Sequence, residues 1–137
     1  MKDRVVIAGL GEIGKPLGVI LEDAYEVVGI DIPHPPLESI GPVDVLHICY
    51  PFEIDDFVGE TVGYMTALRP RLTIVNSTVG VGTTRRIGDA AGAPVAHSPV
   101  RGKHTRMVED MREYVKFVGG VDDASSAAAA DHFRRAG

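Results

Sequence analysis

Arg4-Val5-Val6-Ile7-Ala8-Gly9-Leu10-Gly11-Glu12-Ile13-Gly14 decides the reading of this chain. An apolar strand runs directly into G-x-G-x-x-G, and a helical pattern, Ile13–Glu22, starts at once behind it. A second apolar run, Val27–Ile30, ends on Asp31. Three glycines at this spacing are weak evidence by themselves. With a strand before them, a helix after them and an acid closing the next strand, they specify a dinucleotide-binding turn.

Each glycine has a separate task. Gly9 lets the chain leave the strand in a tight turn, Gly11 keeps a Cβ out of the path of a pyrophosphate, and Gly14 lets the helix pack on the strand. The phosphates then face the amides and the positive dipole end of a helix beginning near Glu12 and Ile13. Pro16 falls in the first turn, where its missing N–H costs little. Asp31, followed by Ile32, is positioned to accept hydrogen bonds from the adenosine ribose. Its charge repels a 2′-phosphate, so NAD is the expected cofactor rather than NADP. Two other readings use the same residues: a glycine turn that binds nothing, and an S-adenosylmethionine site, which also pairs a glycine-rich loop with an acid. The strict three-glycine spacing favours a pyrophosphate.

With 137 residues the chain is read as a single domain, 1–137. Hydrophobic residues at 45% support a core, and 24% charged residues make an ordinary soluble surface. The net charge of −5 argues against a nucleic-acid partner, which calls for a basic face. No apolar run is long enough to span a membrane, and the apolar run behind Met1-Lys2-Asp3-Arg4 reads as strand rather than signal peptide. The single cysteine, Cys49, excludes an internal disulfide and suits a cytoplasmic protein.

Strand and helix patterns alternate, which predicts an α/β fold: a Rossmann-like, doubly wound, mostly parallel sheet of about six strands with helices on both faces. Strands are expected at Val5–Ala8, Val27–Ile30, Val43–Cys49, Leu72–Asn76, Pro94–His97 and Tyr114–Val118. Helices are expected at Ile13–Glu22, Ile54–Leu68, Thr83–Ala91 and Ala124–Arg135, with Asp122 or Asp123 capping the last. Pro33, Pro35, Pro36 and Pro42 leave no room for the usual third strand of a full Rossmann plan. An extended loop should therefore cross to the other side of the first strand, with Pro33-His34-Pro35 near the adenine. In the numbering of that plan the order is approximately 2-1-4-5-6, with Tyr114–Val118 at the edge.

Ligands of open parallel sheets bind beyond the carboxyl ends of the strands. Tyr50-Pro51-Phe52, the stretch Asn76–Thr84 and the stretch His97–His104 all fall there. Ser77-Thr78-Val79-Gly80-Val81-Gly82-Thr83 resembles the S-T-V-P-V-G-T stretch of the dehydrogenases that act on UDP-glucose and GDP-mannose, within the 6-phosphogluconate dehydrogenase-like Rossmann proteins. The resemblance extends over the chain in its order of elements and lacks only the proline of that stretch. It implies the cofactor-binding half of such an enzyme. Tyr50 and Pro51 would flank the nicotinamide ribose. Ser77 and Thr78 would lie near the nicotinamide, with Thr78 the catalytic candidate that holds a water or the substrate hydroxyl.

Departures from that family are equally informative. Its N-P-E-F-L turn corresponds to Ser98-Pro99-Val100-Arg101-Gly102, and Val100 cannot do acid–base work. The family's cysteine and lysine belong to a later domain, so a second domain or a homo-oligomeric partner is expected to complete any active site. Cys49 lies inside a strand and reads as core filling. Ser98, Arg101, Lys103 and His104 form a candidate substrate loop for a small anionic molecule, because Arg grips a carboxylate or phosphate with paired bonds while Lys adds a point charge. No metal is expected: His34, His47, His97, His104 and His132 are scattered, and His47 reads as a hydrogen-bonded core residue. Arg69, Arg71, Arg85, Arg86, Arg134 and Arg135 read as solvated element ends. The reading from another class is a binding or sensing module for NAD or another adenine nucleotide that turns over nothing.

Overall fold

Our computed structural model describes residues 2–31, 36–100, 107–113 and 116–136. Strands β1 (Arg4–Ala8), β2 (Glu26–Ile30), β3 (Val45–Ile48), β4 (Leu72–Val75), β5 (Val95–His97) and β6 (Gly119–Gly120) form one sheet in the order β2-β1-β3-β4-β5-β6. All pairings are parallel except β5 with β6. The helices are α1 (Gly14–Leu21), α2 (Phe57–Leu68), α3 (Thr83–Ala91), α4 (Met107–Glu113) and α5 (Asp123–Ala136). This is the doubly wound Rossmann-like fold.

Side chains of a strand alternate between faces, and β1 shows what its unbroken apolar run is for. Val6 and Ala8 pack in a core with Leu46, Ile48, Val75 and residues of α2 and α3. Val5 and Ile7 pack in a second core with Leu17 and Leu21 of α1 and Ala129 of α5. Burial on both faces removes the need for polar alternation.

The crossing after β2 takes the expected course, since β3 pairs with β1 on the side away from β2. It contains a 3₁₀ turn, Leu37–Ile40, where only an extended loop was expected. Pro33, His34 and Pro35 lie outside the described residues. Asp122 caps α5, its Oδ1 accepting from the Ser125 amide at 2.7 Å. Helix α2 begins at Phe57 rather than Ile54, because Asp56 caps it through the Gly59 amide at 3.1 Å.

Two expectations need correction. Helix α4, Met107–Glu113, lies where no helix is expected from the sequence. Of the expected edge strand, Lys116, Phe117 and Val118 do not pair: the pairing falls at Gly119–Gly120 and runs antiparallel. Gly120 meets the start of α5 so closely that a Cβ there would lie 2.5 Å from the Ser126 amide nitrogen. Only a residue without a side chain can make this edge, whereas Phe117 is left exposed and Val118 packs toward α1 and α5. Tyr114 itself lies outside the described residues. Among the described residues no helix is long and apolar enough to cross a membrane.

Candidate functional site: a cavity beyond the carboxyl ends of four strands

Because β1 to β4 run parallel, the loops that leave them emerge on one side. They enclose a cavity of about 500 Å³ lined by Gly9, Leu10, Gly11, Glu12 and Ile13 from β1, Asp31 from β2, Cys49 to Glu53 from β3, and Ser77 and Thr78 from β4. The glycine loop, Asp31, Tyr50, Pro51, Ser77 and Thr78 are thus brought together. Gly14 is buried just behind the loop as the first residue of α1. Ile32, Arg101, Lys103 and His104 lie outside the described residues.

The three glycines separate physically. Gly9 has φ +102°, and a Cβ on it would lie 2.8 Å from the Tyr50 amide nitrogen. A Cβ on Gly14 would lie 1.8 Å from the Gly9 carbonyl oxygen. Both are therefore demanded by the fold. Gly11 has neither constraint: a Cβ would meet nothing within 4 Å, and its φ is not in the left-handed region. Nothing inside the protein calls for glycine there, so the open space beside its backbone suits a ligand. No side chain caps the start of α1, which leaves the helix end, with its partial positive charge, to the cavity.

The rim is cross-tied. The Gly9 amide donates to the Ile30 carbonyl at 2.9 Å, joining the first loop to the end of β2. Ser77 Oγ donates to the Tyr50 carbonyl at 2.5 Å, and His97 Nε2 donates to the Ser77 carbonyl at 3.0 Å. Ser77, 3% exposed, therefore acts by holding two loops together, whereas Thr78 is exposed on the cavity wall. The Tyr50 hydroxyl bonds Thr61 Oγ1 at 2.6 Å, and its ring packs on Phe57 and Tyr64. Burial holds the Tyr50 phenol well above its ordinary pKa, so it is a neutral wall.

Charge in the lining is one-sided. Glu12, Asp31 and Glu53 contribute carboxylates, and no lysine, arginine or histidine lines the cavity among the described residues. Cys49 is pushed up to about 12, chiefly by burial, and stays a thiol. Leu10, Cys49 and Glu53 were not anticipated as lining. Glu53 follows Phe52 directly, and that continuity was the signal available.

Ser98 does not line this cavity. It is fully buried, and its Oγ donates to the Phe117 carbonyl at 2.6 Å, tying the end of β5 to the segment before β6. His47 is a buried hydrogen-bonded residue, as read: its Nε2 lies 2.8 Å from His132 Nε2 and its Nδ1 2.8 Å from Asn76 Nδ2. Burial lowers the pKa of both rings, His132 to about 4.

Solved structures share this architecture. The chain superposes on a UDP-D-ManNAc dehydrogenase from Pyrococcus horikoshii with a TM-score of 0.84 at 19% identity, covering 96% of this chain and 44% of that one. It matches the 3-hydroxyisobutyrate dehydrogenase of Mycobacterium tuberculosis at 0.74 and 21%, covering 99% and 52%. A reductive aminase from Aspergillus terreus in complex with NADPH gives 0.72 and 12%, covering 99% and 53%. Identities this low establish the fold alone, the Rossmann-like architecture that these proteins share with the chain. The chain spans about half the length of these proteins. No protein-family model matches the sequence, and no curated protein matches it either.

Proposed function

We propose that this chain is the NAD-binding domain of an oxidoreductase that transfers hydride to or from an alcohol or carbonyl group of a small anionic substrate, working with a second domain or subunit. The observation that carries the reading is Gly11, the one glycine of the loop that the protein's own packing does not require, beside an uncapped helix start. Bound NAD supplies the hydride chemistry. The chain's residues bind and orient. Amides of Gly11–Gly14 face the diphosphate, and Asp31, with Ile32 beside it, meets the adenosine ribose. Tyr50 and Pro51 wall the nicotinamide side, with Ser77 fixing that wall. Thr78 hydrogen-bonds a water or the substrate hydroxyl, since an exposed hydroxyl is a poor base at neutral pH. With three carboxylates and no cation in the described lining, an added 2′-phosphate is disfavoured, which supports NAD over NADP. The substrate loop, Ser98 with Arg101, Lys103 and His104, remains part of the proposal through its three cationic or titratable residues rather than Ser98.

A second reading is favoured by the same one-sided charge. An acidic cavity suits a cationic ligand, and the sulfonium of S-adenosylmethionine is one. Titration of the purified chain with NADH, NADPH and S-adenosylmethionine, followed by NADH fluorescence and calorimetry, separates the readings. Saturable NADH binding with weaker NADPH supports the dinucleotide site. Preference for S-adenosylmethionine overturns it. NADH binding with no turnover of any alcohol, even with candidate partner domains added, identifies a sensing module.

A further inference from the structure

On the face of the sheet covered by α1, α4 and α5 lies a second groove, of about 650 Å³, which shares no residue with the dinucleotide cavity. Leu17 of α1, Val118 and Phe133 of α5 give it apolar walls. Among the described residues its only charged groups are cations: Arg112, Lys116 and Arg134. In a chain of net charge −5, a wall with three cations and no carboxylate among its described residues is not average surface.

Lys116 is the informative one. Its Nζ lies 5.0 Å from the centre of the Phe133 ring and 3.4 Å from the Ser98 carbonyl oxygen, a long contact for a hydrogen bond. Among the residues whose side chains are described, which leaves out Glu113, no carboxylate pairs with it. Burial lowers its pKa to about 8. A methionine would pack this wall without a desolvation cost, whereas a half-buried ammonium with no carboxylate partner among the described side chains is stabilised when an anion arrives. The groove's volume falls in the range of small-molecule sites, which pair apolar walls with a few convergent polar groups.

We propose that this groove binds an amphipathic organic monoanion, its carboxylate or sulfonate head on Lys116 and its aliphatic or aromatic body along Leu17, Val118 and Phe133. Arg112 and Arg134 add positive potential at the mouth. The site is independent of the dinucleotide reading.

Fluorescence titration with anilinonaphthalene sulfonate tests it, with decanoate and decanol as competitors. The expected result is one saturable site from which decanoate displaces the dye and excess NADH does not. Decanol, which has the same tail without the charge, should compete roughly tenfold less well, the scale of one lost charged hydrogen bond. Lys116→Met should raise the melting temperature while weakening decanoate roughly tenfold and leaving decanol unchanged. Lys116→Arg should restore the preference for the acid. Ala130→Trp, which fills the groove, should abolish binding of both. Absence of saturable binding, displacement by NADH, equal potency of acid and alcohol, or undiminished decanoate affinity in Lys116→Met would each overturn the proposal.

Discussion

Replacing Gly11 and Gly14 separately by alanine pulls binding and stability apart. At Gly14 the new Cβ would sit 1.8 Å from the Gly9 carbonyl oxygen, 2.9 Å from its carbon and 3.2 Å from Ile7 Cγ2. The first two obstacles are backbone, so the loop or the helix start must move by more than 1 Å. Overpacking typically costs about 1–3 kcal/mol, and a backbone obstacle argues for the upper end. At roughly 4 °C per kcal/mol for a domain of this size, Tm should fall by about 10 °C. At Gly11 the same methyl meets nothing within 4 Å. Stability should then stay within about 0.5 kcal/mol of wild type.

Affinity should follow the opposite order. If a diphosphate rests on the Gly11 backbone, a methyl there separates anion from amide and removes charged hydrogen bonds of about 1.5–3 kcal/mol. That corresponds to roughly a tenfold to hundredfold rise in Kd. NADH fluorescence titration and thermal melts of the three proteins, side by side, read both quantities. A Gly11→Ala protein that binds NADH within a factor of about two of wild type would refute the docking of a diphosphate on this loop. One that melts as low as Gly14→Ala would refute the division of the glycines into packing and ligand roles.

Other outcomes follow from the same geometry. Asp31→Ala should weaken NADH by about 1–3 kcal/mol and narrow its advantage over NADPH, with little change in Tm because Asp31 is exposed; calorimetry with both nucleotides checks it. Ser77→Ala removes the bond to the Tyr50 carbonyl and should cost about 1 kcal/mol in urea unfolding, while weakening NADH by loosening the rim. Thr78→Val should leave unfolding unchanged and reduce turnover once a partner domain and substrate are supplied. Acid should destabilise the fold through His47 and His132. Both are held neutral with pKa values below the ordinary histidine value, so the unfolded chain takes up protons first. Stability is therefore full above about pH 6.5 and falls as pH drops toward 4, by up to about 1.4 kcal/mol per pH unit for each ring. Urea midpoints that stay level from pH 7 to pH 5 would contradict this.

The parts of the fold legible in the sequence are those where a local pattern and the tertiary demand coincide. Val5–Ala8 is apolar on both faces because it lies in the middle of the sheet, and G-x-G-x-x-G follows because α1 must start against Gly9. Elsewhere the pattern misled. Tyr114–Val118 has the β-branched and aromatic composition of a strand, yet pairing with β5 is made by Gly119 and Gly120, and Gly120 is fixed as glycine by the start of α5 just behind it. Ser98 falls in a turn-rich stretch beyond a strand, where ligand residues gather, but its hydroxyl meets a carbonyl nineteen positions away (|i−j| = 19). No spacing rule reports such a contact. Gly9, Gly11 and Gly14 look alike in the motif, and only the surroundings of each absent Cβ separate them.

Helix α5 shows why the buried polar groups matter to the site. Its sequence, rich in alanine, offers few large side chains, and only Ser125, Ala129 and His132 are buried. A smooth alanine face can slide along its partner with little loss of apolar contact, so apolar packing alone fixes its axial position weakly. The hydrogen-bonded chain fixes it. With Asn76 Nδ2 donating to His47 Nδ1, His47 carries its proton on Nε2 and donates to His132 Nε2, while the Tyr25 hydroxyl donates to the His132 carbonyl at 2.7 Å. The Arg135–Asp3 pair at 3.2 Å is exposed and adds little. Protonating His132 sets donor against donor, so acid should release α5 before the sheet opens. Amide exchange should then show α5 losing protection near pH 5 while β1 and β4 keep theirs. Loss of protection in step across helix and sheet would refute the role assigned to the two rings. His47 lies two residues before Cys49, and Asn76 immediately precedes Ser77. The chain that seats α5 is thus built from the same strand ends that form the rim of the cavity, and releasing the helix should weaken NADH as well.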